Sequence, residues 1–237
     1  MTAKVAYVVD FDGTITATDL STGLAQHFGS ERFQEIEGLY RQRKIGMRDW
    51  LDGMSALLPA DFDLLMKYVV DHAVIRPGFK DFLRFAREQG CPVMIASDGF
   101  GFYIEPVLER FGCLEYIDTI YRNKALPRED GTLRIETPYR HPACPVCGNC
   151  KPLHVLELKR QGWKVFYIGD GSNDRFGASW SDYIFARDRL ARCCKEHGIP
   201  FNPWEDFFDI IRPGGHPAAN AIAASPFCRP EGEGFLY

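Results

Sequence analysis

The sequence predicts an α/β protein: a doubly wound parallel sheet with a small helical cap inserted after its first strand. Three observations carry this. Short apolar runs recur at Val5 to Val9, Val93 to Ala96, Tyr116 to Tyr121, Val165 to Ile168 and Tyr183 to Ala186. Segments with apolar residues at helical spacing lie between them, and strands that alternate with helices form a parallel sheet covered on both faces. The interval between the first two runs is far longer than one crossover helix requires.

Each run is short and almost wholly apolar, as a strand buried on both faces should be. Core helices are expected over Gly78 to Gln89, Gly101 to Phe111, Lys151 to Arg160 and Asp188 to His197. In the long interval, amphipathic patterns at Leu20 to His27, Arg32 to Gln42, Met47 to Leu58 and Phe62 to His72 predict the cap helices. Residues 122–150 read as irregular, with a hairpin turn at Asp130-Gly131. The expected division is a core domain of residues 1–16 and 78–212, a cap of residues 17–77, and a tail of residues 213–237. That tail is rich in Pro, Gly and Ala and is expected to be flexible.

The chain has 237 residues, which suits one core domain carrying an insertion. Its composition, 46% hydrophobic and 25% charged with a formal net charge of -4, is that of an ordinary globular protein and lacks the basic excess that nucleic acid or an anionic membrane would call for. No run of about 18 apolar residues occurs, and no apolar signal region follows Met1. A cytoplasmic protein acting on a small molecule is expected, with no nucleic-acid or membrane partner. A homodimer is compatible with the composition, which does not set the oligomeric state. Eight cysteines are present without the spacing of a disulfide framework, three of them between residues 144 and 150. They read as reduced thiols or metal ligands.

Chemistry enters where the strands end, since open α/β sheets bind ligands at the carboxyl ends of their strands. Asp10 and Asp12 follow the first run, in VVDFDGTIT. They could cap a following turn. A second acidic cluster, Gly169-Asp170-Gly171-Ser172-Asn173-Asp174, follows the run Val165 to Ile168 in the same way, and two such clusters suit Mg²⁺, a hard cation that takes oxygen ligands. A bound cation would offset the repulsion between neighbouring carboxylates. After Val93 to Ala96 come Ser97, Asp98 and Gly99, a hydroxyl and a turn whose N–H groups can hold an anion. Lys151 opens a helix, where a cation opposes the dipole unless an anion is shared with the helix N–H groups.

This ordered set, DFDGT, a Ser after the second strand, a later Lys, and GDGSND, resembles the four motifs of haloacid dehalogenase superfamily phosphatases, in the phosphoserine-phosphatase-like subgroup. The resemblance covers about residues 4–212. It implies that Asp10 is the nucleophile that forms an aspartyl-phosphate, that Asp12 is the general acid and base, and that Mg²⁺ is held by Asp10, the Asp12 carbonyl and Asp170. Asp174 then lies in the outer sphere of the metal or acts through water. Ser97, Asp98, Gly99, Lys151 and Asn173 would hold the phosphoryl group.

The substrate is read from the cap. Asp19 matches an acidic residue that phosphoserine phosphatases set near the substrate amino group, and it equally suits the N-cap of a helix beginning near Leu20. Met54 stands where that branch carries a carboxylate-binding Arg. HPACPVCGNCKP (141–152), with IFARD (184–188) and PWEDFF (203–208), resembles the methionine-salvage phosphatases acting on 2-hydroxy-3-keto-5-methylthiopentenyl 1-phosphate. Phosphoserine, phosphoethanolamine, phosphocholine and pyridoxal phosphate are the alternative esters. A phosphotransferase and a non-catalytic phosphometabolite-binding module are the alternative functions. His141, Cys144, Cys147 and Cys150 have the ligand types of a zinc site, against thiols that merely brace the Lys151 loop. Phe100, Phe102 and Tyr103 are expected to pack in the core.

Overall fold

The computed structural model describes residues 4–212, 219, 220, 222 and 225–230. Seven strands, β1 (Val5–Val9), β2 (Val93–Phe100), β3 (Thr119–Pro127), β4 (Leu133–Glu136), β5 (Lys164–Gly169), β6 (Tyr183–Ala186) and β7 (Asn202–Pro203), form one sheet in the order β4-β3-β2-β1-β5-β6-β7. All neighbours are parallel except the β3–β4 hairpin, whose turn contains Gly131 at φ 80°. β1 is central, with Val9 level with both Ile95 of β2 and Ile168 of β5. That register brings the ends of three strands, and so Asp10, Ser97 and Asp170, to one edge.

Alternation along β1 explains why both faces must be covered. Tyr7 and Val9 enter one apolar cluster, with Phe82, Leu108 and Phe207. Ala6 and Val8 enter the other, with Val155, Tyr167 and Leu190. The first cluster also takes in residues of α1 (Leu20–Arg41), α2 (Met47–Ser55), α3 (Phe62–His72), α4 (Phe79–Glu88) and α5 (Gly101–Arg110). The second carries α6 (Lys151–Arg160), α7 (Asp174–Ala178) and α8 (Asp188–Glu196). α9 (Phe207–Ile211) returns to α4, with the Phe207 ring 4.8 Å from that of Phe79, so the aromatic-acidic segment is core packing.

The inserted helices α1–α3 join the first cluster through Leu20, Leu24, Leu51, Met54, Leu65 and Val69, all essentially buried. Each such side chain contributes about 1.5–3 kcal/mol. The two helices expected at Leu20 to His27 and Arg32 to Gln42 are one helix of 22 residues. Gly29, inside it, marks a close approach: a Cβ there would lie 2.6 Å from Leu57 Cδ1. Of the tail expected to be flexible, the described part packs on the core. Asn220 Nδ2 donates to the carbonyl of Ser181 at 2.9 Å, and Phe227 is buried. The rest of the tail lies outside the described residues.

Candidate active site

The chain leaves β1 in one wide turn, Phe11–Ile15, closed by the Thr16 N–H on the Phe11 carbonyl at 3.0 Å. Gly13 is required in it. Its φ is 81°, and a Cβ would sit 2.5 Å from Asp170 Oδ2. Arg76 braces the turn from outside, donating to the carbonyls of Gly13 at 2.5 Å and Thr14 at 2.8 Å. The turn separates the two carboxylates: Asp10 points toward α6, and Asp12 toward α1 and α5.

Asp12 is held by three donors, the Leu20 N–H at 2.9 Å, Ser21 Oγ at 3.2 Å and Tyr103 OH at 2.5 Å. Burial, and then repulsion from Asp19, push its carboxyl up to about 7, where one group can give and take a proton near neutrality. Tyr103 is fully buried, as expected of core packing, but its hydroxyl serves Asp12.

Asp10 is 8% exposed, with Oδ1 accepting from the Phe11 N–H at 2.8 Å and lying 2.9 Å from Lys151 Nζ. Lys151 also reaches Asp174 Oδ1 at 2.7 Å. This answers the question raised by a cation at a helix N-terminus: the shared anions are two carboxylates. Asp174 is fully buried and fully used, since Oδ1 accepts from Lys151 and from Tyr167 OH at 2.7 Å, and Oδ2 from the N–H groups of Asp170 and Gly171. Burial and the nearby Asp174 raise Asp10 well above the carboxylate range. Burial opposes the charge on Lys151, yet Asp10 and Asp174 hold its ammonium firmly protonated.

The third strand end forms a cradle. Ser97 Oγ accepts from the Gly99 N–H at 2.9 Å, and Asp98 accepts from the Asn149 N–H at 2.8 Å and from Asn173 Nδ2. Asn173 thus aims Asp98. Gly99 has no room for a side chain, because a Cβ would lie 2.1 Å from Tyr103 OH and 2.6 Å from Asp12 Oδ2. Asn149, Thr14, Tyr167, Ser21 and Arg76 were not legible as site residues. Each is a common residue type whose role depends on a partner distant in sequence, and only the placing of Asn149 beside Lys151 hinted at one.

The structure bears on three further expectations. Met54 is fully buried in the first apolar cluster, and the cavity beside the site is lined by Met47 instead. Asp19 is exposed and caps α1, accepting from the Thr22 N–H at 2.8 Å, as its cap reading expects. A closed zinc cage does not form. Among the described residues only Asp10, Asp170 and Asp174 bring three ligand atoms within 4.8 Å of one another. His141 is otherwise engaged, with Nδ1 accepting from the Ala143 N–H at 3.2 Å and Nε2 lying 3.0 Å from the Pro230 carbonyl. Burial pushes the Cys150 thiol up to about 12 and the Cys147 thiol well above its ordinary value.

Residues 5–190 match the family model described as "Putative Phosphatase". The chain is 34% identical, over 89% of its length and 95% of the relative's, to the 2-hydroxy-3-keto-5-methylthiopentenyl-1-phosphate phosphatase of Exiguobacterium sibiricum. It is 32% identical to the protein of the same name from Lysinibacillus sphaericus, over 86% of this chain and 90% of that one. Among solved structures, a phospho-aspartyl intermediate analogue of phosphoserine phosphatase shares the fold, with a TM-score of 0.68 and 18% identity over 89% of this chain and 99% of the other. The chain belongs to this phosphatase family.

The motif resemblance implies an oxygen site for a hard cation. The donor set fits. Among the described residues no hydrogen bond reaches Oδ2 of Asp10 or of Asp170, whereas Asp170 Oδ1 accepts from Thr14 Oγ1 at 2.6 Å and both oxygens of Asp174 are occupied. Burial, and then repulsion from Asp174, push Asp170 up to about 7. That cost is what a cation between Asp10 and Asp170 would offset. Asp174 then serves by fixing Lys151 and the backbone of Asp170. No helix among the described residues is long and apolar enough to cross a membrane.

Proposed function

We propose that the protein is a Mg²⁺-dependent phosphomonoesterase of the cytoplasm whose ester is 2-hydroxy-3-keto-5-methylthiopentenyl 1-phosphate. The observation that carries the chemistry is the pairing of buried Asp10 with Lys151, with Asp12 turned to a separate set of donors. The choice of ester rests on the names of the relatives. Residues 17–77 act as the cap over the site.

Asp10 attacks phosphorus as the ester P–O bond breaks, giving an aspartyl-phosphate. Asp12, protonated near neutrality, gives its proton to the departing oxygen. It then takes a proton from water, which attacks phosphorus, releases inorganic phosphate and restores the Asp10 carboxylate. Lys151, Ser97 and the N–H groups around Asp98 and Gly99 stabilise the phosphoryl oxygens. When bound at Asp10, Asp170 and the Asp12 carbonyl, Mg²⁺ supplies charge neutralisation between carboxylate and phosphoryl oxygens.

The test compares phosphate release, with Mg²⁺ and after chelation, from this ester, phosphoserine, phosphoethanolamine and pyridoxal phosphate. The expected result is Mg²⁺-dependent release with the highest kcat/KM for the methylthio ester. Comparable or better turnover of phosphoserine would overturn the choice of ester, and full activity after chelation would overturn the metal.

A further inference from the structure

The reaction centre is rich in carboxyl groups. Asp10, Asp98, Asp170 and Asp174 lie around one ammonium, that of Lys151, and Asp12 lies across the turn. A phosphate ester is a dianion, so its approach to such a centre is opposed even with a divalent cation bound. The feature that answers this repulsion lies beside the site. A cavity of ≈ 760 Å³ runs from the turn after α1 to α8 and touches the site at Ser172 and Asn173. Its wall carries Arg41, Arg43, Lys44, Arg175, Arg189 and Arg192 against a single carboxylate, Asp49. A second cavity of ≈ 360 Å³ shares Arg43, Arg175, Arg189 and Arg192.

These cations are largely uncommitted. Arg41 pairs with Glu37, and Arg175 stacks 4.1 Å above Phe176 and donates to the Ser172 carbonyl. Among the described residues, Arg43, Lys44, Arg189 and Arg192 make no side-chain hydrogen bond or ion pair; Arg189 feels Asp19 only at longer range. Arg189 and Arg192 stand three apart on α8, so they share a face of that helix. Arg43 faces them from the inserted helices, in a left-handed conformation, φ 58°, that a residue with a Cβ rarely adopts. Cations drawn together from two parts of the fold, with only Asp49 and Glu196 as carboxylates lining the two cavities, repel one another unless an anion joins them.

We propose that this cavity is the capture site for phosphorylated substrates: Arg43, Arg189 and Arg192 draw the ester dianion to the mouth of the site and hold it until Lys151 takes over. The proposal rests on the phosphatase reading and is independent of which ester is natural.

The experiment is steady-state kinetics of the Mg²⁺-loaded full chain across ionic strength, with p-nitrophenyl phosphate and with the preferred ester. The wild type is compared with R43Q/R189Q/R192Q and with R43K/R189K/R192K. For the Gln variant, kcat/KM at low salt should fall by about tenfold or more through KM, with kcat within about twofold and a flattened salt dependence. The Ki of inorganic phosphate should rise by a similar factor, and the Lys variant should behave as wild type. A kcat/KM within about twofold of wild type at low salt, an unchanged salt dependence, or a loss confined to kcat would overturn the proposal. Failure of the phosphatase reading would look different, since the wild type would then release no phosphate.

Discussion

His154 Nε2 lies 2.7 Å from Oδ1 of Asn149. Asn149 spends its amide N–H groups on the carbonyls of Ser97 and Tyr121, both at 2.9 Å, so its oxygen must accept and the histidine must carry its proton on Nε2. The imidazole stacks on Tyr121 with ring centroids 3.7 Å apart. A histidine thus holds the cradle at the end of β2 from behind, two contacts away from Ser97.

Burial, and then the charge of Lys151, pull His154 down to about 3. The folded protein keeps the ring neutral while the unfolded chain protonates below its ordinary value near 6.5, so stability is lost as pH falls from about 6.5 toward 3. Between pH 7 and pH 5 this group alone should cost about 2 kcal/mol. Denaturant titrations of wild type and His154→Gln at the two pH values measure it. The Gln variant should lose about that much less on acidification, and equal losses would refute the assignment.

Asp174→Ala should destabilise the fold strongly. The carboxylate accepts from Lys151, Tyr167 and two backbone N–H groups, and its removal orphans Tyr167 OH and both N–H groups in a fully buried place and leaves Lys151 with Asp10 alone. Breaking a buried charge pair from one side costs about 3–5 kcal/mol. A shift below about 1 kcal/mol in urea unfolding would mean that Asp174 does not anchor the site.

Asp10→Asn should abolish phosphate release and keep the fold. The amide is a poor nucleophile of nearly the same shape, and it removes one buried like-charge neighbour of Asp174, which keeps Lys151 as partner. A loss of about a thousandfold or more in kcat is expected, with an unchanged far-ultraviolet spectrum. Several per cent of residual turnover, in protein checked by mass for deamidation, would exclude covalent catalysis.

Gly99→Ala tests how tightly Asp12 is held. The new methyl would meet Tyr103 OH and Asp12 Oδ2, forcing one of them away. Displacement of an acid/base group by about 1 Å costs on the order of a hundredfold in rate, and overpacking costs about 1–3 kcal/mol in stability. Tyr103→Phe should itself lower kcat only modestly, since Leu20 and Ser21 still hold Asp12. Combined with Gly99→Ala it should restore part of the lost stability. A Gly99→Ala variant with wild-type kcat would show that the contact relaxes freely.

The sequence made the sheet, its cover on both faces and the strand-end carboxylates readable because each depends on local pattern: apolar runs, helical spacing, and acids following a strand. Lys151 was readable through its odd position at a helix start. What escaped depends on chain distant in sequence. Asn149 matters through Ser97 and Tyr121, Tyr103 through a carboxylate 91 residues away, and Arg76 through carbonyls 62 and 63 residues back. The single helix α1 was read as two for a related reason, since the neighbour that needs the bare backbone of Gly29, Leu57, belongs to another segment.

Met54 turns that lesson into a measurement. By alignment of motifs it stands where phosphoserine phosphatases carry a carboxylate-binding Arg, which suggests that Met54→Arg would bring phosphoserine into the site. The structure argues otherwise. Met54 is fully buried in an apolar cluster with Leu20, Leu24, Leu51 and Leu65, and it does not line the cavity beside the site. An arginine there would bury a charge without a partner, at an effective cost of several kcal/mol. Met54→Arg should therefore lower the thermal midpoint by about 10 °C or more, or prevent folding, without raising kcat/KM for phosphoserine. Met54→Leu, which keeps volume and polarity, should cost under about 1.5 kcal/mol and leave the order of substrates unchanged. A folded Met54→Arg protein of near wild-type stability that gains activity on phosphoserine would place this side chain in the substrate site after all.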